Sequence, residues 1–298
     1  MSSLRLVQWN LRRAVDVQGS CSRERVVRAV ESLRPNVLTL NEVCLQQAPT
    51  LIEELTPTLP YHSFFGHVRG TYGNALLSSE PLLNVHHVPL DGGTTVTTKD
   101  GKLHRIVRGL ILADTTHCGV DVQLAVTHLD HMSAAERSVQ TAHLLRALNE
   151  PIEPRQPRQR QRLVVGDLNA LRKDDYTLDE WGAHARHNAA KGWAAPVDDA
   201  QSGLSLAMLE EAGFVDAVFA AATEPGAGPG SSRRTWRTPP WTAHTKAFDG
   251  PRYRIDYVFL SASATGRSLA PLSAHVDAEH DASDHQPVIV DFGVVGRD

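Results

Sequence analysis

The chain has 298 residues, 41% of them hydrophobic, with 30 lysines and arginines against 34 acidic residues and a formal net charge of −4. That balance excludes a protein that coats nucleic acid nonspecifically, so any polyanion contact must be local. Cys21, Cys44 and Cys118 are odd in number and far apart, which argues against a disulfide framework and a paired-cysteine zinc site.

Leu4 to Asn10 alternates apolar and polar residues and predicts a strand ending at Asn10. Ser22 is a candidate N-cap for a helix whose apolar stripe is Val26, Val27, Val30 and Leu33, stopped at Arg34-Pro35. A second strand covers Val37 to Val43 with Glu42 near its end, and the order strand, helix, strand points to a layered α/β fold. Tyr72 to Ser78 reads as a turn entering another strand. Gly92-Gly93 and Asp100-Gly101 bracket a threonine-rich hairpin.

Gly109 to Ala113 and Val120 to Leu129 continue the strand series, and the period-two rule puts His128 and Asp130 on one face. Ser133 to Glu136 matches a capping box, followed by Val139, Ala142, Leu145 and Leu148 as the expected apolar helix face. A proline-punctuated connection carrying Arg155, Arg158, Arg160 and Arg162 reads as a solvated loop. It leads into Val164 to Ala170, where the same rule aims Asp167 and Asn169 into one pocket.

Helices are expected near Leu178 to Arg186 and Leu204 to Ala212, and a glycine- and proline-rich loop over Glu224 to Gly230. The segment Arg233, Arg234, Trp236, Arg237 interleaves an aromatic with arginines, a pattern able to stack a base and hold phosphates; a partly buried tryptophan among exposed arginines is the plainer reading. Tyr253 to Leu260 predicts a strand containing Asp256, and Asp284-His285 precedes a final apolar run. No repeat or linker interrupts the chain, so one domain is expected over residues 1–298. The N-terminus enters a strand-like segment without a long apolar stretch, which predicts no membrane span and a cytoplasmic location.

Single polar residues at strand ends are ordinary. Asn10, Glu42, His128, Asp130, Asp167, Asn169 and Asp256 all fall there, however, which is where α/β folds place their sites. The motifs Trp9-Asn10, Asn41-Glu42-Val43, Gly73-Asn74-Ala75-Leu76-Leu77-Ser78, Thr127-His128-Leu129, Gly166-Asp167-Leu168-Asn169, Arg254-Ile255-Asp256-Tyr257 and Ser283-Asp284-His285 occur in this order. Together they resemble the endonuclease/exonuclease/phosphatase family, over nearly the whole chain.

The resemblance implies a four-layer α/β sandwich, two mixed β-sheets packed face to face with helices outside. It implies Mg²⁺, with Mn²⁺ as a substitute, on Glu42 with Asn10 beside it and Asp284 near the metal's waters. Asp167 would orient or deprotonate the attacking water, Asn169 would hold the phosphoryl group, and His128 would donate to a nonbridging oxygen. His285 would be the C-terminal catalytic histidine, held in one tautomer by Asp256. Asn74, Arg105, Arg108, Asp130, Arg234 and Trp236 are candidate substrate contacts, and Asp130 and His131 remain open between a second metal site and structural hydrogen bonding.

The implied activity is metal-assisted hydrolysis of a phosphodiester, on nucleic acid or a nucleic-acid adduct, by a monomer. The alternatives are a small phosphoester substrate, or a catalytically silent binding module on the same fold. The Glu136-Arg137 and Gln140 positions also match tyrosyl-DNA phosphodiesterase. A dinuclear metallophosphoesterase is disfavoured because its Gly-Asn-His and Gly-His-x-His segments are absent.

Overall fold

The computed structural model describes residues 3–97, 101–150, 160–190, 202–222, 251–262 and 267–296. Strands β1 (Ser3–Asn10), β2 (Val37–Cys44), β3 (Tyr61–Val68), β4 (Tyr72–Ser78), β13 (Ser268–Val276) and β14 (Val288–Val295) form one mixed sheet in the order β13-β14-β1-β2-β4-β3. The second sheet runs β11-β12-β10-β9-β8-β5, from β5 (Leu83–Pro89), β8 (Gly109–His117), β9 (Val120–His128), β10 (Gln161–Asp167), β11 (Phe214–Asp216) and β12 (Asp256–Ser261). The expected threonine-rich hairpin is present as β6 (Thr95–Thr97) paired with β7 (Leu103–Arg105).

Three apolar clusters separate four layers. Leu4, Leu6, Val37 and Leu76 of the first sheet meet Ile111, Leu124, Val126, Leu163, Val165 and Val258 of the second. The outer face of the first sheet, including Val7, Trp9, Leu38 and Leu40, packs on α1 (Arg23–Leu33) and α2 (Leu51–Leu55). The outer face of the second, with Val164, Tyr257 and Phe259, packs on α3 (Ala134–Asn149) and α5 (Leu204–Glu211), while α4 (Leu178–Ala190) and α6 (Ala217–Ala222) complete the described helices. Each Leu or Val taken fully out of water contributes about 1.5–3 kcal/mol, so strict period-two alternation fixes the register of these strands.

The alternation also builds the site. Along β1 the residues facing the other sheet are Leu4 and Leu6, then Gln8 and Asn10; along β2 they are Val37, then Thr39 and Asn41. On β9, β10 and β12 the inward apolar positions likewise end at His128, Asp167 and Asp256. The core between the sheets therefore turns polar at one end. Buried polar groups demand partners, and these find one another. Thr39 Oγ1 donates to Gln8 Oε1 at 2.6 Å and Gln8 Nε2 to Asn41 Oδ1 at 2.7 Å. Asn41 Nδ2 donates to Asn74 Oδ1 at 2.9 Å and to Thr127 O at 3.0 Å, tying the two sheets together.

Two expectations about faces fail. Helix α3 is capped by Ser133 as predicted, but Val139 is 47% exposed and Ala142 is also exposed. Its buried side carries Arg137, Gln140, Thr141, Leu144, Ala147 and Leu148. The reason is that this face grips the preceding loop: Gln140 Oε1 accepts from Asp130 N at 2.8 Å, and Arg137 Nη1 donates to Asp130 O at 3.0 Å. The period-two premise also lapses after His128 and Asp167, because β9 and β10 end at those residues.

Candidate active site

His128, Asp167 and Asp256 stand abreast, since β10 pairs in register with both neighbours at Asp167. Gly166 permits this close approach: its φ is +150°, and a Cβ there would sit 1.8 Å from Thr127 O. The Asp167 backbone N–H donates to Asn41 Oδ1 at 2.8 Å, and Asn10 Nδ2 donates to Asp167 Oδ2 at 2.9 Å. His128 Nε2 and His285 Nε2 lie 3.6 and 3.9 Å from the same oxygen. Burial, then the charge of Asp256, raise the Asp167 carboxyl above the ordinary range, against the opposing effects of His285 and Asn10.

The two histidines are tuned in opposite directions. Burial, reinforced by Arg108, holds His128 well below the usual imidazole value, so it is neutral, and its Nδ1 has no hydrogen-bond partner. For His285 burial opposes charge, but Asp256, Asp167 and Asp284 outweigh it and hold the imidazolium. His285 Nδ1 lies 2.8 Å from Asp256 Oδ2, the pairing the resemblance implies. Trp9 Nε1 donates to His285 O at 2.9 Å, and Ser283 Oγ donates to Asn10 O at 2.8 Å, docking the C-terminal loop on β1.

Glu42 reaches the site by a different route. The β2–β4 pairing shifts register between Leu40 and Val43, and Glu42 adopts φ +54° within that bulge. This turns its carboxylate into a cleft of about 500 Å³ lined by Arg12, Arg13, Glu42, Tyr72, His131, Asp284 and His285. Asn10 Nδ2 lies 3.3 Å from Glu42 Oε1, while Asn10 Oδ1 accepts from Arg12 N at 2.9 Å. Asn10 thus bridges two carboxylates through its nitrogen, while its oxygen accepts one backbone N–H and keeps a second lone pair. Burial and the adjacent Glu42 push the Tyr72 hydroxyl up, so it stays protonated.

Among the described residues, two sets have the chemistry to hold a metal. Asp167, Asp256 and His285 place three donor atoms within 4.8 Å of one another, but an ion there would break the Asp256–His285 hydrogen bond that orients the ring. Glu42 and Asp284 are carboxylates on a water-accessible cleft, and one or two carboxylates plus waters suit Mg²⁺, which keeps much of its hydration. The donor set at Glu42 and Asp284 fits that ion better.

Several candidate contacts have partners within the fold. Asn169 is left-handed at φ +49°, its N–H donating to Asp167 Oδ1 at 3.0 Å and its Nδ2 to Leu129 O at 3.1 Å, so it closes a turn beside Asp167 rather than continuing a strand. Asn74 is fully buried and donates to Gly109 O at 2.8 Å, joining the sheets. Asp130 accepts from Thr94 N, Thr94 Oγ1, Met132 N and Ser133 N at 2.7–3.0 Å, which consumes its carboxylate in fastening the hairpin to α3.

Arg105 lies exposed on the hairpin and donates to Gly92 O at 2.8 Å. Arg108 is buried, with Nη2 3.0 Å from Nδ1 of His131, a residue that lines the cleft. Arg234 and Trp236, with Arg233 and Arg237, lie outside the described residues. Gln8, Tyr72, Arg12 and Arg13 went unassigned. The period-two rule run backward from Asn10 finds Gln8, but no periodicity reaches the turn after β1.

No described helix is long and apolar enough to cross a membrane. No curated protein matches the sequence. Among solved structures, an endonuclease/exonuclease/phosphatase from Beutenbergia cavernae is 22% identical with a TM-score of 0.65, covering 99% of this chain and 72% of that one. A namesake from Bacteroides vulgatus is 17% identical with a TM-score of 0.63, covering 99% and 100%. Truncated TDP2 from Caenorhabditis elegans is 18% identical with a TM-score of 0.55, covering 97% of each chain. These likenesses show the shared fold. The family model described as endonuclease/exonuclease/phosphatase matches residues 7–285, and the chain belongs to that family.

Proposed function

We propose that the protein is a metal-dependent phosphodiesterase that cleaves nucleic acid or a nucleic-acid adduct by direct attack of water on phosphorus. The observation that carries this reading is the desolvated Asp167 carboxylate, with its raised pKa, set between Asn10, His128 and His285, the last of which lines the cleft bearing Glu42. A base whose pKa approaches the working pH combines availability with proton affinity.

In this mechanism ionised Asp167 takes the proton of the attacking water. His285, kept protonated by Asp256, and neutral His128 direct N–H groups toward phosphoryl oxygens, where negative charge builds in the transition state. Asn169 contributes its remaining amide hydrogen. Glu42 and Asp284 would hold Mg²⁺, which supplies charge neutralisation and Lewis-acid polarisation of the phosphate when bound. Arg108 supports a phosphate contact, because a guanidinium beside the cleft has a fork matched to phosphate oxygens.

The test is hydrolysis of bis(p-nitrophenyl) phosphate, single-stranded and duplex oligonucleotides, and small phosphomonoesters, each with Mg²⁺, Mn²⁺ or chelator. Chelator-sensitive cleavage of diesters that disappears in folded Asp167→Ala supports the reading. Turnover confined to monoesters moves the substrate to a small phosphoester, and a fully active Asp167→Ala protein removes the mechanism.

A further inference from the structure

The turn after β1 is the least regular backbone at the site. Leu11 is right-handed, and Arg12, Arg13 and Ala14 then take φ values of +46°, +65° and +58°. Three consecutive non-glycine residues in this region are costly, and such strain persists only when surrounding structure over-determines it. Here both flanks are fixed. Leu11 N donates to Asn41 O at 2.9 Å, Ala14 N to Leu11 O at 2.8 Å, and Ser22 N to Ala14 O at 2.8 Å, while Leu11 and Ala14 are buried under the first sheet. The turn therefore cannot relax without unpicking the core.

What the strain achieves is the placement of two guanidinium groups on the cleft wall beside Glu42 and His131. They differ. Arg12 is pinned, with Nη1 donating to Asp16 O at 2.9 Å and Nε 3.5 Å from Asp284 Oδ2. Arg13 is exposed, and among the described residues its guanidinium makes no hydrogen bond or ion pair. An unpaired surface arginine is common in itself; one carried on a strained turn into the wall of a catalytic cleft is not. A guanidinium fork there matches a phosphate.

We propose that Arg13, positioned by the Arg12 turn, is a second phosphate subsite, so that the preferred substrate carries a further phosphate beside the scissile one. This rests on the phosphoester reading of the cleft. It adds a ligand class: a nucleotide unit bearing two phosphates. The second phosphate could be a terminal monoester or the next link of a polymer, and both present the same anionic oxygens.

The experiment is calorimetric titration of the full chain in chelator, where no turnover occurs. The probes are thymidine 5′-monophosphate, thymidine 3′-monophosphate, thymidine 3′,5′-bisphosphate and a thymidine tetranucleotide without terminal phosphates. A charge-assisted phosphate contact predicts that the bisphosphate binds at least about tenfold more tightly than either monophosphate. In Arg13→Gln that ratio falls below about twofold, and in Arg13→Lys it is partly kept, since Lys retains charge but not the fork.

A tetranucleotide that matches the bisphosphate assigns the subsite to a neighbouring backbone phosphate; one that matches the monophosphates assigns it to a terminal phosphate. A bisphosphate ratio near one in the parent protein, or a ratio unchanged in Arg13→Gln, overturns the proposal. Because binding is read without metal, absence of diester hydrolysis would sink the catalytic reading and leave this ratio intact.

Discussion

The two sheets supply the site in opposite ways. The second sheet brings His128, Asp167 and Asp256 abreast on regular strands, buried, with pairing in register across all three. The first sheet delivers its cleft-facing groups through irregular backbone: Glu42 by a bulge at φ +54°, Arg12 and Arg13 by a left-handed turn. Regular pairing yields a desolvated cluster in which acids and imidazoles shift one another's proton affinity. Local strain yields solvent-facing groups available to a cation or a phosphate. Under the proposed mechanism the proton acceptor Asp167 thus comes from the second sheet and the metal-holding Glu42 from the first.

The sharpest test of that division is Asp167→Asn, which keeps shape and burial but removes the proton acceptor. Turnover of a diester should fall by about a thousandfold or more, with the melting temperature near that of the parent by calorimetry. Glu42→Gln should instead raise the Mg²⁺ concentration for half-maximal activity at least about tenfold, read by metal titration. If Asp167→Asn changes the metal requirement and Glu42→Gln does not, the two roles are exchanged.

Asp256→Asn addresses how the histidine keeps its proton. Burial alone would lower His285, and Asp256 is the largest influence raising it. A raised value means the proton survives as pH climbs past 6.5 and is lost only at the higher folded value. The variant should therefore move the alkaline limb of the pH–rate profile down by about one unit or more. An unmoved limb would show that His285 does not set it.

Outside the cleft, Asp130→Asn should destabilise the protein by about 2 kcal/mol, because donors from the hairpin and the start of α3 lose their carboxylate. Burial opposes the Asp130 charge, but N–H groups of Thr94, Ser133 and Met132 hold its carboxyl below the ordinary value of 3.8. That stabilisation is fully present above the ordinary value and disappears as pH falls through the lower folded one. Melting curves of the variant should accordingly lose less on acidification than those of the parent. The smallest effect belongs to Arg13→Gly, where relief of the left-handed backbone should stabilise by about 1 kcal/mol while affinity for a bisphosphate falls.

Much of this arrangement was legible in the order of residues. Alternation along β1, β2, β9, β10 and β12 separates inner from outer faces, and the polar residues closing those runs include Asn10, Asp167 and Asp256. The motif resemblance implied the sandwich and its family. It could not say what the polar groups bond to. Asn10 accepts Arg12 N as well as bridging two carboxylates, and Asp130, left open between metal binding and structural hydrogen bonding, accepts N–H groups of Thr94, Met132 and Ser133. Helix α3 misled for a related reason: its buried face carries Arg137 and Gln140, which grip the preceding loop, beside Leu144, Ala147 and Leu148, which pack on the second sheet.

The sequence by itself determined the strand faces and the strand ends at which chemistry gathers, through periodicity, and its ordered motifs carried the resemblance that implied the family and its two-sheet fold. Only the tertiary structure decided which carboxylates face solvent, which histidine keeps its proton, and that Arg13 points into the cleft. Those properties arise from burial and from neighbours more than 30 residues away in the chain, as between Asn10 and Glu42, and from left-handed backbone that no local periodicity encodes.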